Sequence, residues 1–181
     1  MPDEIEYQQK ILQYQWDDLL ALWEAIKKGN TPKWAPGKAF EYLIIRAFQL
    51  DGADVVYPFS VIIDEEVEQI DGVIYTEGFA CLIECKDQKA PINLEPIAKL
   101  RNQLLRRPAT AIGILFSRSG FTKPARTLAQ FIAPQTVLLW KGDEVEYALH
   151  HRYMCQGLIA KYRYCVEHSY PSYNILLEES P

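Results

Sequence analysis

The chain holds only four cysteines, Cys81, Cys85, Cys155 and Cys165, among 181 residues. None forms a CxxC pair and no histidines stand at matching spacing, so a structural zinc site is not expected. Cys81 and Cys85 fall within apolar, strand-like runs, where a free thiol behaves as a small core side chain. Histidine is scarcer still; His150, His151 and His168 are expected at the surface or at helix ends. No apolar run approaches the roughly 20 residues needed to span a bilayer. The opening MPDEIEYQQK lacks the basic start and apolar stretch of a secretory signal, so a cytoplasmic location without membrane partners is expected. Repeats and low-complexity segments are missing as well. APGKAF is not a phosphate loop, because Gly29 lies too far from Gly37-Lys38 and Ala39 replaces the required Ser or Thr. No GxSxG elbow or Cys/His pairing stands out, and no small-molecule cofactor is expected.

What is present is a globular composition, 49% apolar and 24% charged, in a length suited to one well-buried core. A single domain over residues 1–181 is therefore expected. The net charge of −5 argues against a general nucleic-acid coat, but the sign is uneven. Residues 86–126 carry nine Lys and Arg side chains against only Asp87 and Glu95. This basic middle reads either as a phosphate-facing surface or as solvated helix faces.

Apolar positions at Leu12, Trp16, Leu19, Trp23 and Ile26 predict one amphipathic helix over 4–28. A loop, GNTPKWAPG, leads to a second helix, KAFEYLIIRAFQL, stopped at Asp51-Gly52. DVVYPFSVII reads as a strand that Pro58 breaks or confines to an edge. Two more strands follow in EQIDGVIYTEGFACLIECKD, then a helix over NLEPIAKLRNQLLRR with Pro96 in its first turn. TAIGILFS is a buried strand, TKPARTLAQFI a short helix and QTVLLW a short strand. The pattern from Asp143 to about Val166 is helical and rich in tyrosine, which suits core or a dimer interface. The sum is an α/β domain whose mixed sheet has helices on both faces.

The charges of the two central strands are informative. Alternation puts Leu82, Glu84 and Lys86 on one face and Cys81, Ile83 and Cys85 on the other. In the preceding strand Gln69, Asp71 and Val73 share a face, and Ile70, Gly72 and Ile74 the opposite one. With Glu77-Gly78 at the tip, Asp71 faces Glu84 and Gln69 faces Lys86. A slip of one residue would mix charges into the apolar face. Like charges directly opposite repel, and a hard cation such as Mg²⁺, which takes one or two carboxylates plus water and phosphate oxygens, would relieve Asp71 and Glu84. Lys86 lies within reach of a metal-bound water or a phosphate. The alternative is an ordinary ion pair of Lys86 with Glu84 or Asp87.

IDGVIYTEGFACLIECKD resembles the core signature of the PD-(D/E)xK, restriction-endonuclease-like nucleases, with Ile70 in place of the usual proline. GKAFEYLIIRAFQLDGADV resembles the first core helix of the Mrr-like branch, with Glu41 at that branch's glutamate, and GILFSRSGFTKPA resembles its later strand and turn. The resemblance runs from about Gly37 to Trp140. It implies an αβββαβ core (about 37–140) with a central mixed sheet flanked by helices. Outside it lie an N-terminal helix and loop (1–36) and a helical C-terminal extension (141–181).

The resemblance also implies roles. Asp71, Glu84 and the Cys85 backbone carbonyl would hold Mg²⁺, or Mn²⁺, and Lys86 would position or activate the attacking water. Glu41, otherwise a solvated helix residue, would be a further carboxylate near the metal. Gln103, on a polar stripe with Lys99 and Arg106, would support the site, unless that stripe merely faces solvent. Lys99, Arg106, Arg107, Ser119 and Lys123 are candidate phosphate contacts, although Ser119 and Thr122 suit a helix cap equally. The expected activity is Mg²⁺-dependent endonucleolytic cleavage of DNA, with a homodimer as a possible assembly. Alternatives are a catalytically silent module on the same fold that binds nucleic acid or a protein partner, and a purely structural interaction protein.

Overall fold

The computed structural model describes residues 4–63 and 65–179; the ends of the expected domain, residues 1–3, 180 and 181, lie outside them. Its centre is a five-stranded sheet of β1 (Asp54–Val56), β4 (Gly72–Thr76), β5 (Phe79–Lys86), β6 (Ala111–Ser117) and β7 (Val137–Lys141), in that spatial order. β1, β4 and β5 are antiparallel, whereas β5, β6 and β7 are parallel. Parallel neighbours need crossovers, and these are α4 (Glu95–Leu104) and α5 (Lys123–Phe131). The expected mixed sheet with helices on both faces is thus observed.

Each face carries its own core. Ile74, Cys81, Ile83 and Cys85 pack toward α1 (Glu4–Ile11), α2 (Trp16–Lys28), α3 (Lys38–Leu50), α6 (Gly142–His151) and α7 (Met154–His168). Val73, Leu82 and Leu115 pack with Ile97, Leu100 and Leu104 of α4 and Ala125 and Ala129 of α5. The face of the hairpin that holds the charges is therefore a second packed interior, and Glu84 has no exposed surface. Gly72 permits this layering on the other side, since a Cβ there would collide with Ile45 of α3.

Several elements depart from expectation. The 4–28 helix is two helices, because the Asp18 carboxylate accepts the Gln15 N–H at 2.9 Å and starts α2 afresh. Pro58, by contrast, breaks the next segment as one of the two expectations had it, into β1 and β2 (Phe59–Ile63). The strand expected through Asp71 also breaks there, into β3 (Glu66–Ile70) and β4, and β2 with β3 forms a separate two-stranded ribbon. Gln69 accordingly pairs with Ser60 rather than with Lys86. The C-terminal helix divides at Arg152, which adopts the left-handed conformation at φ 53°, and the tail ends in a 3-10 turn, Ile175–Glu179. The β4–β5 register matches expectation, with Gly72 opposite Ile83. Glu77 and Gly78 take φ of 48° and 83°, the pair of positive values that a type I′ hairpin turn requires.

All four cysteines are free and the three histidines are exposed. Tyr162 meets Phe79 edge-on and Tyr164 stacks on Tyr173, so the aromatic C-terminal helix packs within its own chain. No helix among the described residues is long and apolar enough to cross a membrane.

A buried ion pair fastens this C-terminal layer. Glu144 and Lys161, both without exposed side-chain surface, lie 2.7 Å apart. The Glu144 carboxylate also accepts the N–H groups of Lys141 at 2.9 Å and Ile175 at 3.1 Å, and Lys161 donates to the Tyr173 carbonyl. Burial pushes the Lys161 pKa down against the pull of Glu144. Removing one partner leaves an uncompensated buried charge, so Lys161→Met should lose about 3–5 kcal/mol in urea unfolding. Glu144→Gln combined with Lys161→Met should recover part of that loss, because Gln retains an oxygen for the backbone.

Candidate active site

The break at Asp71 positions the site. Asp71 extends the β4 register to the place opposite Glu84, and its Oδ2 accepts the Cys85 backbone N–H at 2.8 Å. A side chain thus takes over where the backbone ladder ends. Glu84 projects from β5 toward α4, where Lys99 Nζ reaches its two oxygens at 3.0 and 2.8 Å. Lys86, next on the same face of β5, lies 2.5 Å from Glu84 Oε1. Glu41 enters from the first turn of α3, favoured there by the helix dipole, and is bound by Lys38 Nζ at 2.8 Å. Lys38 in turn meets Glu4 at 2.9 Å. Asp71, Glu41, Lys38, Lys86 and Lys99 line one cleft of about 310 Å³, walled by Pro58, Phe59 and Ser60 of the ribbon.

Electrostatics in this cleft are strained. Burial first, then Glu84 and Glu41, push the Asp71 pKa up to about 7 despite the Cys85 N–H and Lys86. Burial also raises Glu41, with Glu4 adding to the effect and Lys38 opposing it. Lys86 is desolvated, yet Glu84 and Asp71 outweigh that and hold its pKa above the ordinary value. Lys38 is likewise desolvated, and Glu41 and Glu4 bring it up to about 12. Among the described residues no three His, Cys, Asp or Glu stand together as a ready ligand cage. Two carboxylates on one face nevertheless suit Mg²⁺, a hard ion that needs only one or two of them beside water and phosphate. Burial first, then Glu84 and Glu41, disfavour the charged form of Asp71, which is the form such an ion would bind.

The structure thus brings together Asp71, Glu84, Lys86, Glu41 and Lys99, and leaves the other candidates elsewhere. Gln103 is buried and donates to the Gln69 carbonyl at 3.1 Å, fixing the end of β3 rather than lining the cleft. Arg106 and Arg107 both bind the Glu68 carboxylate of the ribbon, Arg107 at 2.5 Å. Ser119 Oγ donates to the Ala90 carbonyl at 2.6 Å, while Thr122 caps α5 through the Ala125 N–H at 3.3 Å. Lys123 is exposed at the start of α5. The Cys85 thiol is buried and held well above its ordinary pKa, first by burial and then by Asp71, so this residue meets the site through its backbone.

Sequence reasoning missed Lys38 and Glu4. The i, i+3 spacing of Lys38 and Glu41 was a usable signal for the first; nothing local marks Glu4.

The restriction endonuclease family model Mrr_cat matches residues 33–149. The small subunit of the heterodimeric restriction endonuclease R.BspD6I is 18% identical over 75% of this chain and 77% of that one, with a TM-score of 0.52. Can2 from Sulfobacillus thermosulfidooxidans, in complex with cyclic tetra-adenylate, is 15% identical over 83% of this chain and 54% of that one, with a TM-score of 0.51. AF1548, a protein of unknown function, is 17% identical over 56% of either chain at a TM-score of 0.48, so this chain spans about half the length of that relative. No curated protein matches. The first two structures share the fold, and the family model takes in the break at Asp71, the Glu84–Lys86 strand and the helix that carries Glu41. The chain belongs to the restriction endonuclease family.

Proposed function

We propose that the chain is a Mg²⁺-dependent endonuclease that hydrolyses phosphodiester bonds of DNA. The observation that carries this reading is the placing of Asp71 against β5 beside buried Glu84, with Lys86 on the Glu84 carboxylate and Asp71 and Lys86 lining one cleft. Asp71, Glu84 and the Cys85 carbonyl would hold the ion, and Mn²⁺ would replace it. When bound, the metal supplies a polarised phosphate and a water of lowered pKa.

The chain's own groups do the rest. Lys86 is a raised-pKa ammonium, so it stays charged and donates hydrogen bonds to the attacking water or to the oxygen on which charge develops. Glu41 adds a carboxylate on the α3 side, and Lys38 and Lys99 present positive charge to the nucleic-acid backbone at the cleft rim. Cys85 orients Asp71 through its N–H, whereas its thiol takes no part. Gln103 supports the site at one remove by holding Gln69, two residues before Asp71. Arg106 and Arg107 reach the backbone only after leaving Glu68, and Ser119 and Lys123 would contact phosphate further along the basic segment. The described residues hold one such site, so a single copy nicks, and cutting both strands takes two copies.

Supercoiled plasmid incubated with Mg²⁺ should be nicked by the parent protein. The rate should fall by about a hundredfold or more in Asp71→Asn and Lys86→Ala, and EDTA should abolish it. Full cutting by both variants, or salt-sensitive binding without any cutting, would sink the proposal.

A second prediction concerns stability without metal. The Asp71 carboxyl binds its proton more tightly folded than unfolded, with a pKa of about 7 against 3.8. Its contribution is therefore fully present below the lower value and is lost as pH rises through that window. Asn keeps an oxygen for the Cys85 N–H and carries no charge. In EDTA at pH 8, Asp71→Asn should be more stable than the parent by about 2 kcal/mol. That advantage should shrink toward pH 4 and also on adding Mg²⁺, as urea midpoints will show.

A further inference from the structure

Glu84 carries two lysines where one would meet the needs of the reaction proposed above. Its side chain has no exposed surface, and Lys86 and Lys99 both lie within 2.8 Å of it. The two lysines differ in how they are held. Lys86 stands on the same strand, two residues away, and desolvation and its carboxylate neighbours fix it in the cleft. Lys99 comes from α4 and remains 44% exposed, with both Glu84 oxygens on its ammonium at 2.8 and 3.0 Å. It lines the catalytic cleft, a second cleft beside Gln69 and Asn102, and a third of about 590 Å³ beside Gln88 and Asn93. A small rotation about its long stem therefore carries the ammonium out of the site into open, solvated space.

Charge makes that mobility consequential. Lys86 and Lys99, both held on Glu84, balance the formal charges of Asp71 and Glu84 before any metal arrives. A dication added to this cluster would leave two surplus positive charges beside Lys99 at close range, where unscreened repulsion is strong. Two changes remove the surplus: Lys99 turns away, and a phosphodiester group arrives to receive it.

We infer that Lys99 is a built-in counter-cation that competes with the divalent metal for Glu84, so that metal loading is coupled to binding of the nucleic-acid backbone. The inference rests on the nuclease reading of the site. Coupling of this kind is reciprocal, so nucleic acid tightens the metal by the same factor as the metal tightens nucleic acid. In the free protein the site is held in a poorly metal-binding, compensated state. A residue that only contacted phosphate would face solvent without clamping a buried carboxylate, and a residue that only stabilised the fold would leave metal affinity unmoved.

Mn²⁺ binding to the intact chain, read by electron paramagnetic resonance or calorimetry, separates these roles without recourse to cleavage. With no nucleic acid present, Lys99→Met should bind Mn²⁺ about 5- to 50-fold more tightly than the parent. Lys99→Arg, which keeps the charge and can grip Glu84 with a two-pronged donor, should bind no more tightly than the parent. A short phosphorothioate-backbone duplex should tighten Mn²⁺ on the parent by a similar factor and do much less for Lys99→Met. Asp71→Asn serves as the site control. If Lys99→Met binds no more tightly than the parent while Asp71→Asn abolishes binding, the competition is wrong and the metal site stands. If Lys99→Met fails to fold, tighter binding by Lys99→Arg, or a duplex without effect on the parent, overturns the inference alone. If no form binds Mn²⁺ with or without the duplex, both this inference and the nuclease reading fall.

Discussion

One hydrogen bond organises this protein's chemistry, the bond from the Cys85 amide to the Asp71 carboxylate. Asp71 stands where the chain leaves the ribbon and enters the main sheet, so its backbone cannot continue both ladders. Its side chain takes the free amide of β5 instead, and that anchors the carboxylate one position from buried Glu84. A shift of one residue in the β4–β5 register would turn Asp71 toward the α3 core and Glu84 away from it. The register is held against such a slip by the apolar faces on both sides and by the positive-φ turn at Glu77-Gly78.

A cluster so deeply set would be ruinous if its charges were bare, since isolated buried carboxylates cost several kcal/mol each. The fold answers with lysines drawn from three directions: Lys86 from β5, Lys99 from α4 and Lys38 from α3. None of them fully corrects Asp71, whose carboxyl still sits well above its ordinary pKa. The remaining instability is concentrated at the place where the proposed chemistry happens. Elsewhere the structure closes its buried charges: Glu144 meets one lysine and two backbone N–H groups, and Glu68 meets two arginines.

How much of this was legible in the sequence depended on distance along the chain. Period-two alternation in Cys81–Lys86 and a two-residue tip were enough to place Asp71 opposite Glu84, because hairpin register is a local property. The mixed sheet followed from the order of strands and helices. What escaped were pairings between residues far apart. Lys99 reads as one member of a polar helix stripe, and only the docking of α4 on β5 turns it toward Glu84, fifteen positions away. Arg106 and Arg107 read as free positive charge for the same reason; their partner, Glu68, lies on a ribbon whose separation from the main sheet has no marker beyond Pro58 and Asp71 itself. The breaks at Tyr14-Gln15 and Arg152 escaped because apolar spacing carries across a short turn almost unchanged.

The ribbon explains why the site opens where it does. Had β3 run straight into β4 as one strand, Gln69 would lie opposite Lys86 and close the sheet over the carboxylates. Because the chain bends at Asp71, the ribbon's Pro58, Phe59 and Ser60 stand off as a wall and leave a cleft between the sheet and α3. Gln103, Arg106 and Arg107 then act on that geometry at a distance, bracing β3 through the Gln69 carbonyl and the Glu68 carboxylate. Gln103 of α4 and the two arginines just beyond its end thus tie down the ribbon that walls the cleft.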